Sequence, residues 1–286
     1  MTLPAPLIDA AALRQLLGTA TPPCVFDCSF DLADPQAGER AYREGHIPGA
    51  HHLHLDHDLA DHARAPGTPF RGRHPLPTRE AFAARVGALG VGPATPVVVY
   101  DRQGAAFAAR AWWMLRWLGH REVAVLDGGL NAWLAADGAL DIAPPLASPA
   151  PPYPLGEPLT PTIDAAGLQA ALGRVRLIDA RAAERFRGEV EPLDPVAGHI
   201  PGALNRPFKD NLGADGRFLP PAALREAFLP LLGDGGTDAV VHQCGSGVTA
   251  CHNLLAMEAA GLPGAALYPG SWSEWCADPA RPVARG

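Results

Sequence analysis

The hexapeptide Gly45-His46-Ile47-Pro48-Gly49-Ala50 recurs as Gly198-His199-Ile200-Pro201-Gly202-Ala203. Other features recur around it in the same order. Val25-Phe26-Asp27 precedes the first copy and Leu177-Ile178-Asp179 the second. Val97-Val98-Val99-Tyr100-Asp101 follows the first, and Ala239-Val240-Val241-His242-Gln243-Cys244 follows the second. Each copy closes on an apolar run, a glycine turn and a tryptophan, Trp133 and Trp275. A chain of 286 residues written twice implies two tandem domains of ordinary size. They are expected over 1–140 and 163–286, with a proline-dense, semi-rigid connector over 141–162.

Within each copy, short β-branched runs alternate with helix-like stretches. Thr78 reads as the cap of a helix beginning near Arg79, and Ala106 to Leu118 as a helix that Gly119 ends. Such alternation predicts an α/β fold, each domain a parallel sheet flanked by helices. Ligands in such sheets bind beyond the carboxyl ends of the strands.

Composition narrows the chemistry. A hydrophobic fraction of 48% with 19% charged residues supports a sizeable core. The net charge of −7 argues against a nucleic-acid partner. No apolar run is long enough for a membrane span. The start, Met1 to Pro6, lacks the pattern of an export signal. The five cysteines are odd in number and lack zinc-type pairing, which fits a reducing cytoplasm. Neither a cofactor nor a structural metal is expected. Residues 278–286 read as a frayed tail.

The second copy carries Cys244-Gly245-Ser246-Gly247-Val248-Thr249-Ala250 between a buried-strand pattern and a helical run from Cys251 to Ala260. Two nearby glycines let the backbone point successive N–H groups inward, and the helix start adds partial positive charge. A thiol at such a place is expected to ionise more readily than an ordinary one, whose pKa is about 8.5. Asp101 occupies the equivalent place in the first copy. An aspartate cannot be a sulfur nucleophile, so the first domain reads as the inactive partner.

With these features the chain resembles the tandem rhodanese-type sulfurtransferases, and its loop is most similar to that of the 3-mercaptopyruvate-using members. The resemblance implies a small-molecule sulfur donor, a persulfide on Cys244, and an acceptor such as a small thiol, thioredoxin or cyanide. It implies that the amides of Gly245, Gly247, Val248 and Thr249 cradle the bound sulfur and that Ser246 relays a proton. It implies that Asp56 is an acidic partner and His74 a substrate contact, both lent by the first domain, and that Arg185 pairs with the donor's carboxylate. Members that use thiosulfate tend to carry basic residues where this chain has Gly245 and Ser246. The family's second arginine, in a Glu-Pro-Arg sequence, is replaced here by Leu193, with Arg187 as a substitute to consider.

Other readings compete. Cys244 could be a packing residue in a non-catalytic binding module. Ser246 could simply cap the following helix. His52-Leu53-His54-Leu55-Asp56-His57 matches a zinc-hydrolase pattern, although it sits inside the repeat and lacks the usual glycine pair after it. A cysteine phosphatase would need an arginine closing the loop, where Ala250 and Cys251 stand. Thiosulfate is the alternative donor on the same scaffold.

Overall fold

The computed structural model describes residues 3, 6–63, 67–145 and 149–286. The chain forms two compact units. In the first, strands and helices alternate as β1 (Leu7–Ile8), α1 (Ala10–Leu17), β2 (Cys24–Asp27), α2 (Ala37–Glu44), β3 (Ala50–His52), α3 (Arg79–Ala88), β4 (Val97–Tyr100), α4 (Ala108–Trp117), β5 (Val123–Leu126) and α5 (Gly129–Ala135). Its sheet has the order β1-β5-β4-β2-β3, with every pair parallel. The central strands β4 and β5 are buried along their whole length. That is what an all-parallel sheet covered on both faces demands of its sequence. Asp9 and Thr78 cap α1 and α3, accepting from the N–H groups of Ala12 at 2.7 Å and Ala81 at 3.1 Å.

The second unit repeats the plan with α6 (Ala165–Ala171), β6 (Arg176–Asp179), α7 (Ala183–Phe186), β7 (Leu204–Asn205), α8 (Pro221–Leu232), β8 (Val240–Gln243), α9 (Ala250–Ala259), β9 (Ala266–Leu267) and α10 (Ser271–Trp275). Its parallel sheet runs β7-β6-β8-β9. Leu177, Ile200, Val241, Tyr268, Trp272 and Trp275 gather in its core. The fold is therefore α/β in both halves.

The repeated hexapeptide is a structural turn. In each copy the alanine N–H donates to the isoleucine carbonyl, Ala50 to Ile47 at 2.9 Å and Ala203 to Ile200 at 3.0 Å. The glycines between them, Gly49 and Gly202, adopt φ of 77° and 78°. Proline followed by a positive-φ glycine is the signature of a type II turn. The two histidines stack on aromatic neighbours, His46 on Tyr42 at 4.0 Å and His199 on Phe186 at 3.9 Å. Their Nδ1 atoms lie 2.8 Å from the carbonyls of those same residues.

Three expectations need correction. The tail is not frayed: Ala284 exchanges backbone hydrogen bonds with His199, both at 2.9 Å, and Trp275 Nε1 donates to Pro282 at 2.8 Å. Asp141 makes the same paired contact with His46 in the first unit, so this is the repeat's own closing element. The connector, apart from Leu146, Ala147 and Ser148, which lie outside the described residues along with Met1, Thr2, Pro4 and Ala5, is docked rather than a spacer. Ala150, Tyr153 and Gly156 donate to Gly87, Ala83 and Leu118. Finally, the units are not contiguous in sequence. Residues His62–Leu76 belong to the second unit and Ala214–Phe218 to the first. Backbone contacts explain both exchanges. Arg73 N–H donates to Ser273 Oγ at 3.0 Å, and a Cβ on Gly72 would lie 2.6 Å from the Gly270 carbonyl. Phe218 N–H donates to Asp127 at 2.8 Å.

Candidate active site

Cys244 directly follows β8, whose four residues are all buried, and is itself buried. Its N–H donates to Ser271 Oγ at 3.1 Å. Its carbonyl accepts from Trp272 N–H at 3.0 Å, and that of Gly245 accepts from Ser273 N–H at 2.9 Å. The start of α10 therefore anchors the first two loop residues and orients the cysteine. Gly247 lies at φ 77°, and a Cβ there would meet the Pro269 carbonyl at 2.2 Å. Only glycine fits such a position. Val248 is buried beside it, and Thr249 leads into α9.

The first unit shows what a loop of this shape does with an anion. Asp101 follows β4 as Cys244 follows β8. Its carboxylate accepts from the N–H groups of Gln103 at 2.9 Å, Ala105 at 2.8 Å, Phe107 at 2.8 Å and Ala108 at 2.9 Å. Burial pushes the Asp101 carboxyl up, and these four donors oppose that by favouring the charged form. Gly104, three residues after Asp101, has φ 67°, matching Gly247 three residues after Cys244. The first copy has filled the nest with a side chain of its own.

Ser246 does not cap α9. Thr249 holds the N-cap position, with no side-chain bond to the helix. The Ser246 hydroxyl oxygen instead lies 2.7 Å from His74 Nδ1, both residues being buried. His74 reaches it from the segment that packs within the second unit, not as a loan from the first.

Arg185, on α7, pairs with Glu191 at 2.6 Å and with Asp194 at 3.4 Å. Asp194 also forms a short ion pair with Arg73, a residue sequence reasoning passed over. Burial raises the Asp194 carboxyl while Arg73 and Arg185 pull it down. A Cβ placed on Gly245 would lie 3.0 Å from Arg73 Nη2 and 3.5 Å from Arg185 Nη1. The loop is uncharged in sequence, yet two guanidiniums flank it. The only hint of Arg73 was that it precedes His74.

The surroundings of the other expected residues are as follows. Asp56 belongs to the first unit, where its N–H donates to His54 Nδ1 at 3.1 Å. Leu193 is exposed, and Arg187 is engaged by Glu189 at 2.7 Å on the surface. His54 Nε2 lies 3.0 Å from the Pro35 carbonyl, and His52 Nε2 lies 3.2 Å from that of Ser29. Among the described residues no group of three His, Cys, Asp or Glu side chains is arranged to hold a metal ion. No disulfide joins the five cysteines. Burial pushes Cys24 up to about 12 and Cys276 up to about 11, so neither competes as a nucleophile near neutral pH.

A cysteine at the end of a buried parallel strand, opening a glycine loop like the one that holds the Asp101 carboxylate, is an arrangement suited to thiol-based group transfer. The Rhodanese-like domain family matches residues 9–136 and 164–278, and the chain belongs to that family. A Pseudomonas aeruginosa protein named "Probable 3-mercaptopyruvate sulfurtransferase" is 54% identical over 92% of this chain and 92% of its own. The bovine thiosulfate sulfurtransferase is 35% identical, covering 88% of this chain and 84% of its own. The crystal structure of SseA from Escherichia coli, described under 3-mercaptopyruvate sulfotransferases, superposes with a TM-score of 0.78 at 31% identity, covering 93% of this chain and 98% of that one. No helix among the described residues is long and apolar enough to cross a membrane.

Proposed function

We propose that this chain is a sulfurtransferase that takes sulfur from 3-mercaptopyruvate and passes it to a thiol or to cyanide. The Cys244 thiolate attacks the donor's sulfur. The carbon–sulfur bond breaks, and its electron pair stays on carbon as the enolate of pyruvate. A proton reaches that carbon through Ser246 and His74, and the donor's own thiol proton balances the step. Pyruvate leaves, and Cys244 holds a persulfide anion. The loop amides from Gly245 to Ala250 receive that anion. The acceptor then attacks the outer sulfur and releases the Cys244 thiolate. Asp56 is the proposed acidic partner from the first domain, and a small thiol or thioredoxin is the proposed acceptor in a reducing cytoplasm.

The Asp101 nest carries this reading. A carboxylate there already gathers four N–H groups at the place equivalent to Cys244. The reading is tested by Cys244→Ser, which should abolish transfer with the fold intact. Treating the wild type with donor should add the mass of one sulfur atom to the peptide containing Cys244. Turnover by the serine variant would overturn it.

A specific observation favours thiosulfate as an alternative donor. Arg73 and Arg185 bring guanidinium donors beside Gly245 that the loop sequence lacks, held there by Asp194 and Glu191. Steady-state kcat/KM for the two donors, measured side by side, decides between them. A higher value with thiosulfate would reverse the donor assignment.

A further inference from the structure

The Gly245 edge of the loop is built from parts distant in sequence. Arg73 Nη2 faces the Cβ position of Gly245 at 3.0 Å, and Arg185 Nη1 and Nη2 face it at 3.5 Å and 3.7 Å. Two guanidiniums so close repel unless something holds them. Asp194 pairs with both, and Glu191 pairs with Arg185. Both carboxylates are nearly enclosed, with side chains 4% and 3% exposed. The Nε groups of Arg73 and Arg185 are buried and have no hydrogen-bond partner among the described residues. A buried donor without a partner is unfavourable, so both guanidiniums keep donor capacity for an acceptor. Each guanidinium carries five N–H groups, more than its carboxylate partners engage.

The first unit supplies the contrast. Arg102 stands where Gly245 does, one residue past the strand-end Asp101, and its guanidinium binds Asp27 at 2.7 Å and the Gly45 carbonyl. In the second unit those two tasks fall to Arg181, on Asp179 at 2.6 Å and the Gly198 carbonyl at 2.8 Å. With Arg181 doing this, position 245 can be a glycine, and the space its missing side chain leaves is bordered by Arg73 and Arg185.

We propose that Arg73 is a donor-binding residue, forming with Arg185 a two-guanidinium clamp for the carboxylate of a 2-oxo acid whose sulfur lies at Cys244. The proposal rests on the sulfurtransferase reading of Cys244. Adjacent Cα atoms are about 3.8 Å apart, a span comparable with the three-carbon frame of such a donor. Arg73 thus sets preference among donors by their carboxylate, whereas Cys244 performs the chemistry.

The test compares the wild type with Arg73→Met and Arg73→Lys in the full chain. For Arg73→Met, KM for 3-mercaptopyruvate should rise about tenfold or more, with kcat falling less than KM rises, as expected when a ground-state charge contact is removed. The methyl ester of the donor should show a penalty of only a few-fold. Arg73→Lys should fall between, because an ammonium cannot replace a planar fork, and it decides the matter if the methionine variant does not fold. Pyruvate titrated into each protein provides a readout independent of turnover, and its Kd should weaken about tenfold in Arg73→Met. Unchanged KM and pyruvate Kd would overturn the clamp, as would an equal penalty on the ester or a wild type that binds no pyruvate. A wild type that binds pyruvate yet turns over only thiosulfate would instead overturn the donor reading and leave the pyruvate comparison to decide the clamp.

Discussion

Ser246 Oγ and His74 Nδ1 lie 2.7 Å apart although 172 positions separate them in the chain. Both are buried, so the pair is shielded from competing water. Hydrogen-bond contact of this length is what the proposed proton relay requires.

Removing either member should slow proton delivery without touching the thiol. We expect Ser246→Ala and His74→Ala to lower kcat for 3-mercaptopyruvate by roughly 10²-fold, the usual scale for a general acid–base group. The rate of Cys244 alkylation by iodoacetamide should change little. Rapid-mixing measurement of pyruvate release checks the first outcome and mass-resolved labelling the second.

The two positive-φ glycines Gly247 and Gly202 should respond differently to alanine. At Gly202 a Cβ meets nothing within 4 Å, so only the backbone conformation at φ 78° is penalised, by about 1 kcal/mol. At Gly247 the Cβ would also collide with the Pro269 carbonyl, and the loss should exceed about 2 kcal/mol. Denaturant unfolding of the two variants should rank them in that order.

Asp101 is expected to be a stabilising residue of the first domain. Asp101→Ala strips a buried acceptor from four N–H donors, so it should cost several kcal/mol, at about 1–3 kcal/mol for each donor left without a partner. Asp101→Asn should fall between alanine and wild type. A Tm for the alanine variant equal to wild type would contradict the nest.

His242, on β8, is wholly buried, with Nε2 3.0 Å from Met257 Sδ. Burial pulls its pKa from 6.5 down to about 3, so the folded chain keeps it neutral. The unfolded chain takes up the proton below pH 6.5. The stability contributed is therefore complete above pH 6.5 and is lost as the pH falls toward 3. The slope from this one group is at most about 1.4 kcal/mol per pH unit. His242→Gln should flatten the acid limb of a stability-versus-pH curve by that amount.

Much of this was legible beforehand, and the rest was hidden for physical reasons. Identical hexapeptides announced the duplication because a proline–glycine turn with a buried isoleucine tolerates few alternatives. Thr78 was readable as a cap because capping depends on neighbours three residues away. The contrast between Asp101 and Cys244 was readable because the strands before them share one pattern. Arg73 was not, since its partners Asp194 and Gly245 are joined to it only by tertiary packing. Gly245 and Ser246 suggested an uncharged environment, and no local rule could reveal guanidiniums arriving from two other segments. The tail carries a polar, proline-containing sequence typical of loose ends, and its partners, the backbone of His199 and the Trp275 indole among them, are supplied by tertiary packing.

The placement of His62–Leu76 in the second unit changes what duplication has left behind. A gene fragment encoding only residues 163–286 would preserve every residue of the cysteine loop and still omit Arg73, His74 and the Gly72–Gly270 contact. Cutting this chain at its proline-rich segment would not separate the two units whole. Each unit takes in sequence from the other half of the chain, so neither half of the sequence encodes a whole unit.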